Sequence, residues 1–202
     1  MARRLSPLKR LAACLAALAP CAAFAAPAGR AISEEVLQFD AAHSSAEFAV
    51  RVMWLFPVHG RFGTLRGTIT IDRFRGTARV DADIDTNDIH MRSRGDEAWA
   101  KSPEFFDSQH YPQVHFESDA FSLDRLSKGG AVEGMLTIRG FNRHETFELA
   151  PSACPDAVAL DCAAEAEGSI RRSDFGMRSH RGALSDKVDL HFSIHVQPRA
   201  AP

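Results

Sequence analysis

Nine histidines, four cysteines and a scatter of Ser, Asp and Arg residues are the side chains of this 202-residue sequence that could do metal or covalent chemistry. Spacing argues against a metal centre. His191 and His195 share one face of an alternating segment, yet four residues of extended chain separate them by roughly 13 Å, too far for one ion. No His-x-His pair and no His-Glu-x-x-His run occurs, so most of the histidines are expected to be solvated surface groups. Ser44 beside His43 has the types of a nucleophile and a base, but no nucleophile elbow, phosphate loop or metalloprotease motif accompanies it. The pair is expected to satisfy backbone groups near a strand start. Arg172 and Asp174 are expected to form an ion pair bracing the turn at Phe175-Gly176, where Gly176 supplies a conformation other residues resist. No catalytic residue, no metal and no resident cofactor is therefore expected, and the protein reads as a non-enzyme.

Cysteine chemistry depends on compartment, and the N-terminus speaks to that. Arg3, Arg4, Lys9 and Arg10 precede an apolar run, Leu11 to Phe24, that ends in Ala23-Phe24-Ala25. This is the pattern of a cleavable signal peptide over residues 1–25, with the mature chain at 26–202 in the periplasm or secreted. A run of about 14 residues containing Pro20 is short of the roughly 20 a spanning helix needs. Arg3-Arg4 leaves general and twin-arginine export both open. Cys14 and Cys21 leave with the signal, so Cys154 and Cys162 form the remaining pair, and a disulfide is expected in an oxidising compartment. A redox pair or half of a zinc site is the alternative, but the spacing is wrong for Cys-x-x-Cys and no second pair exists.

Composition is that of a globular protein, 45% hydrophobic and 25% charged with a net charge of −2. Without the four leader cations, 20 of the 24 basic residues stand against 26 acidic ones, and the absence of a basic stripe excludes nucleic acid as the natural partner.

The period along the mature chain is mostly two. Val80, Ala82 and Ile84 alternate with Asp81, Asp83 and Asp85, and Val188, Leu190, Phe192, Ile194 and Val196 alternate with polar residues. Less cleanly the same pattern covers 47–52, 61–71 with a turn near Gly63, 113–118, 134–138, 146–150 and 164–171. About eight antiparallel strands are expected. One segment breaks the rule. Ser93-Arg94-Gly95-Asp96 is a capping-box pattern, Glu97 and Lys101 can pair at i, i+4, and Pro103 stops the run, which predicts a short helix followed by a tight turn at Phe105-Phe106-Asp107. The expected fold is all-β, an eight-stranded antiparallel barrel with a short helical insertion. Its inward face is expected to carry Phe48, Val50, Phe62, Ile69, Ile71, Val80, Ile84, Val114, Phe116, Leu136, Ile138, Leu190, Phe192 and Ile194. Alternation alone leaves open whether these pack against one another or line a space.

The ordered strings Phe39-Asp40-Ala41-Ala42-His43-Ser44-Ser45-Ala46-Glu47-Phe48, Gly60-Arg61-Phe62 and Gly67-Thr68-Ile69 resemble the opening of the YceI-like family of polyisoprenoid-binding periplasmic proteins. Further strings follow in the family's order: Ser102-Pro103-Glu104-Phe105-Phe106-Asp107 with Tyr111-Pro112, Phe116-Glu117-Ser118, Gly134 to Gly140, and Arg172-Ser173-Asp174-Phe175-Gly176. The resemblance spans roughly Leu37 to Val196. It implies a lipocalin-like barrel whose apolar tunnel holds an isoprenoid lipid, of quinone or polyprenyl type, or a similar long-chain amphiphile as ligand. The inward residues named above would then line the tunnel, with Trp99, Phe105 and Phe106 as a lid. Many family members carry Arg-Asp-x-His-Leu ahead of the Phe-Phe turn, where this chain has Asp96-Glu97-Ala98-Trp99-Ala100. Trp99 thus stands in the place of the family's His, either capping the tunnel mouth or packing the helix onto the barrel.

Three functions remain on the sequence. The first is a periplasmic carrier or sequestering protein, with transient contact to a membrane or membrane protein. The second is a packed barrel acting as a stress-response or interaction module. The third, an enzyme acting on a lipid inside the barrel, needs an ionisable group on the inward face, and the alternating strands supply none. An exposed strand edge would leave room for a homodimer.

Overall fold

Alternation of apolar and polar residues requires one dry face, and this chain meets the requirement by curling a single antiparallel sheet around its own apolar side. The computed structural model describes residues 34–152 and 162–197, all within the unit Ile32–Pro202. The expected signal peptide and Cys154 lie outside the described residues.

Among the described residues twelve strands form: β1 (Glu34–Gln38), β2 (Ser45–Val52), β3 (Phe56–Phe62), β4 (Leu65–Asp72), β5 (Thr77–Asp85), β6 (Ile89–Met91), β7 (Gln113–Ser118), β8 (Phe121–Ser122), β9 (Gly130–Ile138), β10 (Phe141–Leu149), β11 (Ala164–Arg171) and β12 (Leu184–Ile194). The expected count of about eight falls short for physical reasons. β6 and β8 are too short to show a period, β1 reads Glu-Glu-Val-Leu-Gln without alternation, and the segment expected over 61–71 divides into β3 and β4. The sheet order is β1-β4-β5-β7-β9-β10-β11-β12-β2-β3-β6, with β8 paired to β5. Phe39, just past β1, bridges to Val196, just past β12, and so ties the two ends of the run from β1 to β12 together. β2, β3 and β6 continue the sheet beyond β12.

Register sets large side chains opposite small ones on the inner face. Phe192 pairs with Ala166 on one side and Ala46 on the other, Phe48 pairs with Gly60, and Phe147 pairs with Gly168. The two glycines are spatial necessities. A Cβ on Gly60 would lie 2.1 Å from the Phe48 ring, and one on Gly168 would lie 2.5 Å from the Phe147 ring. Rings placed against glycines fill the space that a missing side chain would leave bare.

The helix forms where expected, α1 (Arg94–Lys101), with the Ser93 side chain accepting from the Asp96 amide at 3.1 Å. Glu97, expected to pair with Lys101, instead accepts from the Met91 amide at 3.1 Å and thereby docks α1 on β6. A second helical turn, α2 (Arg125–Lys128), places buried Leu126 against the interior.

On β10, burial and then the nearby Asp174 carboxylate push the Glu145 carboxyl above its ordinary value. A raised folded-state pKa means that the ionised form is penalised in the native protein. The penalty is fully present above that pKa and disappears below the unfolded value of about 4.3. Glu145→Gln is therefore expected to raise Tm at pH 7.5 and to give no gain near pH 4. Equal shifts at the two pH values in thermal melts would show that packing rather than charge is responsible.

Candidate functional site

Inside the curled sheet the apolar faces do not meet. They enclose a cavity of about 580 Å³, within the usual range of roughly 300–1,000 Å³ for small-molecule sites. Its wall is built in rows by the pairing register. β12 contributes Val188, Leu190, Phe192 and Ile194, β11 contributes Ala164, Ala166 and Ile170, and β2 contributes Phe48, Val50 and Val52. Across the space stand Val80, Ala82 and Ile84 of β5, Val114 and Phe116 of β7, and Val132, Leu136 and Ile138 of β9. Phe147 sits between Phe116 and Phe192, edge-on to both at 5.1 and 5.4 Å. Phe106 meets Phe62 at 5.5 Å and Phe48 at 6.0 Å, so the Phe-Phe turn after α1 packs on the wall from the β2 and β3 side.

Of the residues expected to line a tunnel, Phe48, Val50, Phe62, Ile69, Val80, Ile84, Trp99, Phe105, Phe106, Val114, Phe116, Leu136, Ile138, Leu190, Phe192 and Ile194 all border this cavity. Ile71 does not. It lies two residues beyond Ile69 on β4, fully buried and paired with Ala78, which pairs in turn with Phe121 of β8. Short β8 was not legible, so the packing that surrounds Ile71 was not either. Several lining residues went unrecognised in the sequence. Val188, Phe147 and Leu149 were reachable by extending the same alternation. Phe56 and Val58 were hidden because Pro57 interrupts the pattern at the start of β3.

Among the lining residues only Phe56, Trp99 and His180 are exposed, so the cavity opens where the β2–β3 hairpin, α1 and the 178–183 loop converge. Trp99 packs on Phe105 at 4.3 Å and on His180 at 5.3 Å and remains 38% exposed, which makes it a partial cap on the mouth. The Trp99 indole N–H points to Glu104 Oε2 at 3.4 Å, and the same oxygen lies 2.9 Å from His180 Nε2. Asp96 borders the same region.

The interior is not free of ionisable groups, as alternation alone suggested. Arg172, on the 3-10 turn Arg172–Phe175, borders the cavity and is 2% exposed. It does not pair with Asp174. Its guanidinium donates to four carbonyls, those of Ser185 at 2.9 Å, Met177 at 2.8 Å, Ser179 at 2.7 Å and Leu184 at 3.2 Å. Burial pushes its pKa down and the Asp186 carboxylate opposes that shift. The turn ends at Gly176 with φ 77°, the left-handed conformation expected of it.

Ser44 and His43 carry no catalytic arrangement. Ser44 Oγ exchanges hydrogen bonds with the backbone of distant His195, at 3.2 and 3.0 Å, and His43 Nδ1 lies 2.7 Å from Asp40. Tertiary pairing does assemble two groups with metal-donor types that linear spacing did not suggest. They are Asp81 with Asp83 and His115, and Asp119 with Glu133 and His144. Both include exposed side chains outside the cavity lining, and a His–Asp pair at 2.9 Å accounts for part of each. Cys162 takes part in a disulfide. Its expected partner Cys154 lies outside the described residues.

Comparison with known proteins places these features in context. Residues 37–196 match the YceI-like domain family. Protein YceI of Escherichia coli is 25% identical over 171 residues, which span 83% of this chain and 88% of that protein. In three dimensions the chain is similar to Burkholderia cenocepacia BcnA, with TM-score 0.63 and 20% identity over 79% of this chain and 99% of that one. It is also similar to a polyisoprenoid binding domain from Saccharophagus degradans, with TM-score 0.59 and 14% identity over 82% and 98% of the two chains.

Proposed function

The chain belongs to the YceI-like domain family, and on that premise we propose that it is an exported binding protein that carries or sequesters an isoprenoid lipid or similar long-chain amphiphile. The observation that carries this reading is the cavity itself. A purely structural core would close to crystal-like density, whereas these apolar faces enclose roughly 580 Å³ that reaches the surface beside Phe56, Trp99 and His180. Each methylene of a chain buried there contributes about 0.8 kcal/mol before ordering costs, so affinity grows with chain length and needs little polar recognition. The polar end of such a ligand would sit among Asp96, Trp99 and His180, the lining groups at the mouth that can offer or accept a hydrogen bond. A similar fold, the Saccharophagus domain, is described as polyisoprenoid binding, which supports the ligand class.

The reading is of a carrier rather than an enzyme. Arg172 is committed to four carbonyls, and His180 already faces Glu104. Export to the periplasm, cleavage after Ala25 and a Cys154–Cys162 disulfide belong to the same proposal.

Native mass spectrometry of the mature chain purified from the periplasm tests it. Wild type is expected to carry an extractable apolar ligand, and its mass is expected to correspond to residues 26–202 less the two hydrogens lost on disulfide formation. Phe192→Arg places an unpaired cation in the apolar wall, and Leu136→Trp fills the space without charge. Both are expected to come out empty. Wild type that is empty and does not take up a short-tailed ubiquinone, or a folded Leu136→Trp protein that loads as wild type does, would sink the proposal and favour the packed interaction module.

A further inference from the structure

Residues 53–55 join β2 to β3, and with Phe56 they form the most apolar exposed stretch of the described residues. Met53 is 59% exposed, Trp54 64%, Leu55 76% and Phe56 65%, whereas the other exposed large hydrophobics occur singly along the sequence. Isolated apolar side chains on a surface are ordinary, but a contiguous patch of this kind marks an interaction site.

The turn does not ask for these residues. Met53 and Trp54 have φ of 52° and 63°, and Leu55 N–H returns to the Val52 carbonyl at 3.2 Å, a tight turn whose two central residues are both left-handed, as in a type I′ turn. Such a turn is relaxed as Asn-Gly and strained with side chains as large as Met and Trp. Nor does the core explain them, since Met53, Trp54 and Leu55 lie outside the cavity lining. The adjacent Phe56 does line it, as do Val52 and Val58, so the exposed patch runs without interruption into the cavity mouth.

The two segments that form the tip and its support carry charge of one sign. The Met53 amide donates to the Ala183 carbonyl at 2.7 Å and Val52 pairs with Leu184, which holds the 178–183 loop against the hairpin. Residues 51–59 and 178–183 carry Arg51, Arg178 and Arg181 and no acidic residue, in a chain whose net charge is −2. None of the three arginines is taken up in a close ion pair among the described residues, although Arg181 acts at longer range on Asp186; of the acids at the mouth, Asp96 belongs to α1 and Glu104 is held 2.9 Å from His180 of the 178–183 loop. Both tryptophans of the protein flank the opening, Trp99 in its lining and Trp54 on the tip. Trp with flanking Arg is the composition favoured at a membrane–water interface, where an amphipathic ring and a cation both find partners.

We infer that the β2–β3 hairpin tip inserts Met53 to Phe56 into the headgroup region of an anionic lipid bilayer and so sets the cavity mouth against the membrane. An apolar chain could then pass between bilayer and cavity along Phe56 without crossing water. No helix among the described residues is long and apolar enough to cross a membrane, and this docking needs none. The inference deepens the carrier reading of the same cavity, but vesicle binding is read without any bound ligand.

The test is sedimentation of the full mature chain with vesicles of phosphatidylglycerol and phosphatidylcholine, against phosphatidylcholine alone. Wild type is expected to bind the anionic vesicles preferentially, with a blue shift of Trp emission that persists in Trp99→Phe and so reports on Trp54. The double variant Met53→Asn, Trp54→Gly installs the relaxed form of the same turn. It is expected to melt no lower than wild type and to take up short-tailed ubiquinone in solution as wild type does, yet to bind vesicles about tenfold less or weaker. Arg178→Gln and Arg181→Gln are each expected to weaken binding about fivefold and to flatten its salt dependence. Vesicle binding unaffected by the double variant would overturn the inference. So would a wild type that stays in solution with both vesicle types, and concentration-dependent self-association abolished by the double variant would then assign the tip to a second copy of the chain. Failure of ligand loading with intact vesicle binding would instead count against the carrier reading alone.

Discussion

Arg172→Met is expected to lower the unfolding free energy by at least about 3 kcal/mol, the largest stability loss of any single substitution considered for this fold. The side chain is 2% exposed and its guanidinium satisfies the carbonyls of Met177 and Ser179, which precede β12, and of Leu184 and Ser185 at the start of β12, where the pairing with β2 is irregular up to Val188. Methionine would fill much of the space but leave those acceptors without donors, and a buried unsatisfied carbonyl costs about 1–3 kcal/mol. Lysine has three donors on one atom where arginine spreads five over a planar fork, so Arg172→Lys is expected to recover less than half of the loss. The segment that Arg172 holds includes His180, and loosening it would also widen the mouth. Asp186 supports the arrangement. Burial acts against its ionised form, but hydrogen bonds from the Ser173 hydroxyl at 2.7 Å and amide at 3.0 Å keep its carboxyl below the ordinary range. Denaturant titration checks the prediction through the midpoint at constant m. A loss under about 1 kcal/mol would mean that water replaces the guanidinium, contrary to its burial.

Phe147→Ala is expected to destabilise by about 3 kcal/mol, the low end of the usual range for a buried Phe, while enlarging what the cavity can hold. The ring is 5% exposed, touches Phe116 and Phe192 edge-on, and fills the space beside Gly168 that a side chain there would need. One side of it already faces open space, so fewer contacts are lost than in a closed core. The volume released adds directly to the cavity and is lined by apolar groups. Binding of ubiquinones of increasing tail length is expected to continue to a longer optimum in Phe147→Ala than in wild type, and Phe147→Leu is expected to fall between. An unchanged optimum with the same loss of stability would mean that neighbouring rings collapse into the gap.

How much of this was legible before the fold was known differs by feature. β12 and β5 were plain because a strand with one dry and one wet face writes its orientation at every second residue. The helix α1 was plain because its cap lies within four residues of its start. Arg172 was misread for a related reason. Asp174 is its near neighbour in sequence, whereas its true partners are carbonyls 5 to 13 positions away, and a carbonyl carries no residue-type signal. The triads Asp81–Asp83–His115 and Asp119–Glu133–His144 were unreadable likewise, because each is assembled by pairing of separate strands, β5 with β7 for the first and β7 with β9 and β9 with β10 for the second.

The sequence by itself determined the class of fold, the inward face of most strands and the family, because side-chain periodicity, capping and ordered motifs are local properties of the chain. Only the tertiary structure decided whether that inward face closes on itself or stands open, since cavity volume depends on register and curvature summed over the whole sheet. Phe opposite Gly and Ala in neighbouring strands, and one bridge between Phe39 and Val196, set the apolar walls at the separation that leaves 580 Å³ between them.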